Sequence, residues 1–481
     1  MSIRCSRRCG SMQQQLLVVF IICNYTMRFS LQLLILAGYI GAFASSVPSG
    51  WTSPVIPMYH LEDSPVPITD DEGAWIASAF MLGCGIGPIM SLLVANIAGR
   101  KTLLTAVGAP WIIGWIIIIF AESPWELIIS RFISGTGTGV IFSVLPMYLG
   151  EIAPANIRGI LLTAITMTSR FGILFGYAVC PFVTIKMSAM ISLIFPIIYV
   201  CCFIWLPESP YHLVRQGLCA EAAKSLASFR CTKDIQAELC SIEASVKGEM
   251  ANSGGLREMF FVPGNRKSIT VGVILGMLQQ LSGSQAIMMY TQSIFDQANV
   301  DLEGKYLAMI LGVIQIICTG LCVVVVDRHG RRPLLLFSSI GSLFSTGAAA
   351  IYFNLQYMSI DTSNIEWLPA VGCMFYVIFY SLGLAGLPIT MIGELFPTNI
   401  KLLACVIVGF FTYSTGFAVS KVYQIISDSV GTHVSFWIFT GFDTIGSIYI
   451  YFCVPETKGK TLQEIQDELH RKKIEIHKSR A

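Results

Sequence analysis

Two Glu-x-x-Pro-x-Asn-Ile-basic segments stand about half the chain apart. They are Glu151-Ile152-Ala153-Pro154-Ala155-Asn156-Ile157-Arg158 and Glu394-Leu395-Phe396-Pro397-Thr398-Asn399-Ile400-Lys401. A short basic turn precedes each one, Gly99-Arg100-Lys101 in the first half and Asp327-Arg328-His329-Gly330-Arg331-Arg332 in the second. A Pro-Glu pair follows each, Pro207-Glu208 and Pro455-Glu456. Guanidinium and carboxylate groups that recur at matching places can form charge-assisted, bidentate pairs. Exposed pairs of this kind are individually weak, so a network of them can open repeatedly. The bland reading is solvated lone charges. Recurrence at matching places in both halves favours a network of Arg100, Arg158, Arg331 and Arg332 with Glu151, Glu208, Glu394 and Glu456.

A second group with chemistry sits inside an apolar stretch, where Gln279, Gln280, Ser282, Ser284 and Gln285 crowd together. Amides supply donors and acceptors at once, which suits a polyol. Polar side chains buried in hydrocarbon are costly unless they face a cavity or a partner. Gly283 permits local unwinding there, although hydrogen bonding between helices would explain the same residues. Arg170 also falls within an apolar stretch, one helical turn beyond Thr166 on the same face, and Asp443 within another. An arginine at mid-membrane costs at least about 2.5 kcal/mol unless paired or hydrated, which marks it as a candidate functional residue. A structural ion pair is the competing reading.

The elements that hold these residues follow from composition. The chain is 54% hydrophobic and 12% charged, against roughly 25% charged in soluble domains. About 20 apolar residues cross a bilayer, which predicts spans near 31–49, 74–96, 103–121, 127–150, 160–184 and 187–206. A second set is expected near 268–292, 306–326, 333–355, 367–393, 402–426 and 431–454. The fold expected is therefore all-α integral membrane, with twelve transmembrane helices in two six-helix bundles. Duplicated halves of this kind place a substrate site between them. The expected division is an N-terminus at 1–29, a bundle at 30–206, a linker at 207–267, a bundle at 268–455 and a tail at 456–481. Basic loops stay on the cytoplasmic side. The loop 50–73 has five carboxylates and no Lys or Arg, whereas Arg100, Lys101, Arg158, Arg328, Arg331 and the linker's basic residues lie opposite. Cytoplasmic termini and a multi-pass plasma-membrane protein follow. The linker is expected to hold helices near Cys219–Phe229 and Asp234–Val246, and the tail an amphipathic helix bearing Leu462, Ile465 and Leu469.

Further motifs extend the pattern. They include Arg131-x-x-x-Gly135-x-Gly137-x-Gly139, Pro146-x-Tyr148, Pro207-Glu208-Ser209-Pro210, Gln279-Gln280-Leu281-Ser282-Gly283, Tyr290-Thr291 and Pro455-Glu456-Thr457-Lys458-Gly459. Together with the basic turns, this set resembles the sugar porter family of the major facilitator superfamily, in particular insect facilitated trehalose and glucose transporters. The resemblance runs from about residue 30 to 465. It implies an inner gate of Arg100, Arg131, Glu151, Arg158, Glu208, Asp327, Arg331, Arg332, Glu394 and Glu456. It also implies sugar contacts at Gln279, Gln280 and Gln285, with Gln315 in the asparagine position of the eighth span. Elsewhere the sugar-site pattern is altered. Thr166 stands in place of the family's glutamine, Ile389 in place of a stacking tryptophan, and Thr412-Tyr413 in place of an Asn-Trp pair. Arg170 takes a position that is apolar in the family.

The function expected is facilitative (uniport) transport of a hexose or trehalose-like disaccharide by alternating access. The first predicted span has no carboxylate to couple protons. Two alternatives stay open, transport of a different and anionic organic solute, or a non-transporting sensor on the same scaffold. No nucleophile elbow or metal-ligand cluster points to an enzyme, and no cofactor or metal is implied. The six histidines are scattered through loops and tail. A net charge of +2 gives no sign of nucleic acid. The partners expected are a small-molecule substrate and the lipid bilayer, around a monomer.

Overall fold

The computed structural model describes residues 29–61, 64–153, 155–230, 235–251, 256–297, 302–396, 398–458, 460 and 464, and among these the regular structure is all helical. Eleven helices are long and apolar enough to cross a membrane. Numbering segments in chain order, the first half holds segments one (Phe29–Tyr59), two (Asp70–Ala98), three (Arg100–Phe120), four (Pro124–Ile152), five (Ala155–Val179) and six (Ile185–Phe203). The second half holds segments eight (Gly304–His329), nine (Arg331–Tyr357), ten (Leu368–Leu395), eleven (Thr398–Ser429) and twelve (Thr432–Cys453). Segment seven is not among the eleven. It is divided into Pro263–Leu281, Ser284–Met289 and Thr291–Asp296, with a break at Gly283, where φ is 90°. Segment ten is likewise interrupted between Leu382 and Leu387. Four short helices between the halves include Cys219–Phe229, as expected, and Gln236–Ala251, shifted slightly from the predicted 234–246. Most of the expected tail helix lies outside the described residues.

Helix starts follow from local chemistry. Thr69 and Glu72 form a capping box at segment two, where Asp70, Asp71 and Glu72 face the positive end of the helix. Ser123 and Glu126 do the same for segment four, with Pro124 at its first position.

Segment one corrects the sequence reading. It runs to Tyr59 although Pro48, Pro54 and Pro57 lie inside it, each of which removes a backbone donor at a cost of about 3 kcal/mol. Packing outweighs that loss, because Trp51, Val55, Ile56 and Tyr59 are all buried. Trp51 also donates from Nε1 to Ser188 Oγ at 3.0 Å and meets Trp115 edge-on.

In lipid, helix association relies on small residues that let backbones approach. A Cβ built on Gly139 would stand 2.3 Å from the Cys84 carbonyl oxygen, and one on Gly87 would stand 2.6 Å from Gly139 Cα. Segments two and four therefore touch backbone to backbone. Between the halves, segment two packs on eleven and segment five on eight. Polar contacts join the halves where segment two begins. Lys421 pairs with Asp71, the Gln292 N–H donates to Ser53 Oγ at 3.1 Å, and the Tyr177 hydroxyl donates to the Met288 carbonyl at 2.7 Å.

Replacing Gly139 with alanine overpacks this contact and is expected to cost about 1–3 kcal/mol. Gly150→Ala on the same helix meets open space and is expected to leave stability unchanged or slightly higher. Thermal unfolding of both variants in detergent checks the difference. Equal melting temperatures would show that segments two and four do not touch at Gly139.

Candidate functional site

One charge arrangement is built twice. At segment three, the turn residue Gly99 has φ 90°, and its missing Cβ leaves room for Glu208, whose Oε2 would lie 2.4 Å from it. The Glu208 carboxylate then caps the helix, with Oε1 accepting the N–H groups of Arg100 and Lys101, both at 3.0 Å. The Arg100 guanidinium turns the other way, donating from Nε to Glu151 Oε1 at 3.3 Å. Ser209, next to the capping glutamate, donates its hydroxyl to Glu151 Oε2.

The second half repeats each contact. Gly330 has φ 90° and leaves space for Glu456. That carboxylate caps segment nine, accepting Arg331 N–H at 3.0 Å on Oε1 and Arg332 N–H at 3.1 Å on Oε2. Arg331 donates from Nε to Glu394 Oε1 at 3.1 Å, and its Nη2 lies 2.9 Å from the same oxygen. Thr457 donates its hydroxyl to Glu394 Oε2. Among the described residues, each of these guanidinium–carboxylate pairs therefore joins partners within one half. Burial pushes the Glu456 carboxyl up, but the backbone N–H groups of Lys458, Arg331, Arg332 and Thr457 outweigh it and leave it below its ordinary value.

Three participants escaped the sequence reading. Ser209 and Thr457 are the matching hydroxyl residues after Glu208 and Glu456, a repeat that was legible in the sequence. His212 had been grouped with scattered loop histidines, yet it is buried and its Nδ1 lies 3.0 Å from Arg100 Nη1. Burial, then the Arg100 charge, hold its ring below the usual pKa. A guanidinium can only donate, so Nδ1 is the acceptor of that bond. The side chains of Arg158 and Asp327 lie outside the described residues. Arg332 places its guanidinium over the Tyr451 ring, 5.7 Å from the centroid.

Arg131 does not join this group, which corrects its placement with the gate. It lies twenty positions before Glu151 on segment four, about 30 Å away at 1.5 Å per residue. It is 1% exposed, donates to the Pro48 carbonyl at 2.8 Å and to Thr52 Oγ1, and sits 4.7 Å from the Phe80 ring centroid. Arg131 ties segments one, two and four together at the opposite end of the molecule.

The polar residues of segment seven gather at its break. Gln279 and Gln280 are 7% and 4% exposed. The Gln279 amide donates to the Ala385 carbonyl at 2.8 Å, in the interruption of segment ten. Ser282 and Ser284 both donate to the Gln279 carbonyl, which the break frees from the helix ladder. Gln280 and half-buried Gln285 lie against Gly416 of segment eleven. Gln315 is buried on segment eight, its Nε2 3.5 Å from Met288 Sδ. The other expected contacts are dispersed. Thr412 bonds to Val408 O at 2.8 Å and faces Gly276, and Tyr413 lies beside Gly85 of segment two. Thr166 is exposed and bonds to Thr163 O at 2.7 Å, and Ile389 is exposed. Arg170 is half-buried in segment five. Asp443 is buried between segments twelve and nine, with the Thr346 hydroxyl 3.5 Å from Oδ2.

Two repeated halves of long apolar helices, with polar residues enclosed at helix breaks, define a multi-pass membrane transporter rather than an enzyme. The profile of the family described as "Sugar (and other) transporter" matches residues 69–469. The chain therefore belongs to the sugar porters of the major facilitator superfamily. It is 31% identical over 433 residues to the facilitated trehalose transporter Tret1 of Polypedilum vanderplanki, covering 89% of this chain and 86% of that protein. With Tret1 of Apis mellifera ligustica it shares 30% over 445 residues, covering 92% and 88%. The Aedes aegypti Tret1 is 30% identical, but the chain spans 54% of its length. Among solved structures, the partially occluded inward-open conformation of the xylose transporter XylE from E. coli superposes with a TM-score of 0.74 at 21% identity. That match covers 90% of this chain and 100% of the neighbour.

The lowered Glu456 pKa sets a pH dependence. Because the folded value lies below the ordinary 4.5, the stabilisation is complete above that value and is lost as pH falls through the folded one. Relative to Glu456→Gln, the wild-type protein in detergent is expected to melt higher at pH 7, with the gap narrowing from about pH 5 downward. A gap that widens on acidification would contradict the capping role.

Proposed function

We propose that this protein is a facilitative sugar transporter, moving a hexose or trehalose-like disaccharide down its gradient by alternating access. The amide cluster at the break in segment seven carries this reading. Gln279, Gln280 and Gln285 concentrate donors and acceptors at a site suited to polyols, within a chain of the sugar-porter family. Gln315, Thr166, Arg170, Ile389, Thr412 and Tyr413 complete the proposed lining. In this reading segment seven also crosses the membrane, giving twelve spans in bundles 30–206 and 268–455. The residues at 1–29, the linker 207–267 and the tail 456–481 lie in the cytoplasm. The acidic loop after segment one and the basic turns opposite support that orientation. Segment one contains no acidic residue, which supports uniport. A monomer in the plasma membrane completes the reading.

The gate works with the two charge clusters. The halves meet through Asp71 and Lys421 at the outer end, whereas the described ion pairs of the inner end stay within their halves. This arrangement supports an inward-facing state. Closing the inner end then brings the segment bearing Arg158 towards Glu394, and weak, exposed pairs let it reopen. Asp327 is proposed to serve beside Arg331.

Two outcomes are expected. Gln279→Ala combined with Gln280→Ala abolishes sugar uptake into proteoliposomes, while folding and membrane insertion stay near normal. Full uptake by the double variant would place the site elsewhere. Glu394→Gln shifts the labelling of an engineered cavity cysteine towards the inner side, and labelling unchanged from both sides would remove Glu394 from the gate.

A further inference from the structure

Arg170 lies near the middle of segment five, about 22 Å from its first residue at 1.5 Å per residue. Its side chain is half-buried, and its Nε is enclosed with no hydrogen-bond partner. The groups that face it electrostatically are the phenols of Tyr380 and Tyr177. No Asp or Glu among the described residues pairs with it. Tyr380 belongs to the other half of the molecule, within hydrogen-bond reach of Ser284 and Gln279. Tyr177 is tied by its hydroxyl to Met288 in segment seven. Arg170 therefore stands where the two halves meet, beside the amide cluster.

A guanidinium keeps its charge under all physiological conditions. Placed at membrane depth without a carboxylate, it is expensive unless it meets water or an anion. Asp443 is buried between segments twelve and nine, with the Thr346 hydroxyl 3.5 Å from its Oδ2. It is not the partner. Gln315 adds a second enclosed and unfilled group, since its Oε1 has no hydrogen-bond partner. Unused amide capacity and an unpaired cation thus occur together at the interface of the halves.

We propose that the transported solute is a polyhydroxy compound carrying one anionic group, a carboxylate or a phosphate, which pairs with Arg170. The proposal rests on the reading of this interface as the transport site, and names its substrate class. Charge-assisted pairing to a guanidinium is about twice as strong as a neutral hydrogen bond. The amides of Gln279, Gln280 and Gln285 then hold the hydroxyl groups, and the anion supplies the counter-charge that the protein lacks. A neutral sugar fills the amides but leaves the guanidinium unpaired.

Three probes that differ only at one carbon decide the matter: glucose, glucuronate and glucose 6-phosphate. Uptake is measured in proteoliposomes with the membrane potential clamped at zero, and binding by thermal stabilisation of the purified full-length protein. One of the two anions is expected to half-saturate the wild-type protein at a concentration at least tenfold lower than glucose. Which anion does so separates carboxylate from phosphate. Arg170→Gln is expected to remove that tenfold preference of the anion over glucose, and Arg170→Lys to keep part of it. If glucose matches or exceeds both anions in the wild-type protein, the proposal is overturned, whether or not Arg170→Gln folds. Glucose uptake in that case leaves the sugar-transport reading standing. If none of the three probes binds or moves, the proposal is overturned, and trehalose uptake measured the same way then decides whether the sugar-transport reading stands.

Discussion

Hydrocarbon offers no hydrogen-bond partner, so a chain that crosses it must satisfy its own polar groups. The architecture of this transporter follows that constraint. Its membrane-length elements are helices, and at several places where a helix starts or breaks a side chain takes the freed backbone groups. Glu208 and Glu456 take the first N–H groups of segments three and nine. At the break in segment seven, the hydroxyls of Ser282 and Ser284 take the carbonyl of Gln279. At the break in segment ten, Ser338 accepts the Leu384 N–H at 2.9 Å, and the Gln279 amide donates to the Ala385 carbonyl. The two breaks thus face and support one another. A site with exposed backbone and clustered amides can exist at depth only because these groups are bound.

The same constraint explains the bonds within each charge cluster. In each half a capping glutamate, an arginine at the first helical position, a second glutamate and a hydroxyl are linked. Every member has a partner inside its own half, so each half holds together on its own at the end that carries the linker. Among the described residues, polar contacts between the halves at the other end run through Asp71, Ser53 and Tyr177. Within the first half, close backbone contact between Gly87 and Gly139 joins segments two and four.

The halves are copies in their charge clusters but not in their helices. Segments seven and ten are broken, whereas segments one and four run unbroken for 31 and 29 residues. Segment one has three prolines, yet large buried side chains keep it helical. Segment seven has Gly283 and a row of polar residues, and it unwinds. The polar residues at the helix breaks therefore collect on the second half.

The sequence alone determined the class, because apolar length, loop charge and the repeated motif depend only on composition and spacing. The repeat of Arg100 with Glu151 and Arg331 with Glu394 was legible for the same reason, as was the unwinding at Gly283. Partner choice was not legible. Arg131 shares a motif with the glycines of segment four, but only packing shows that it bonds to Pro48 and Thr52 far from Glu151. His212 looked like a loop residue until the short helix Pro210–Arg215 carried it to Arg100. Segment one runs ten residues past its expected end at 49, because other segments bury Trp51 and Tyr59 and so offset the cost of its prolines. Spacing along one chain fixes which residues share a helix face. Which groups meet across helices is set by how those helices pack, and that is decided only in three dimensions.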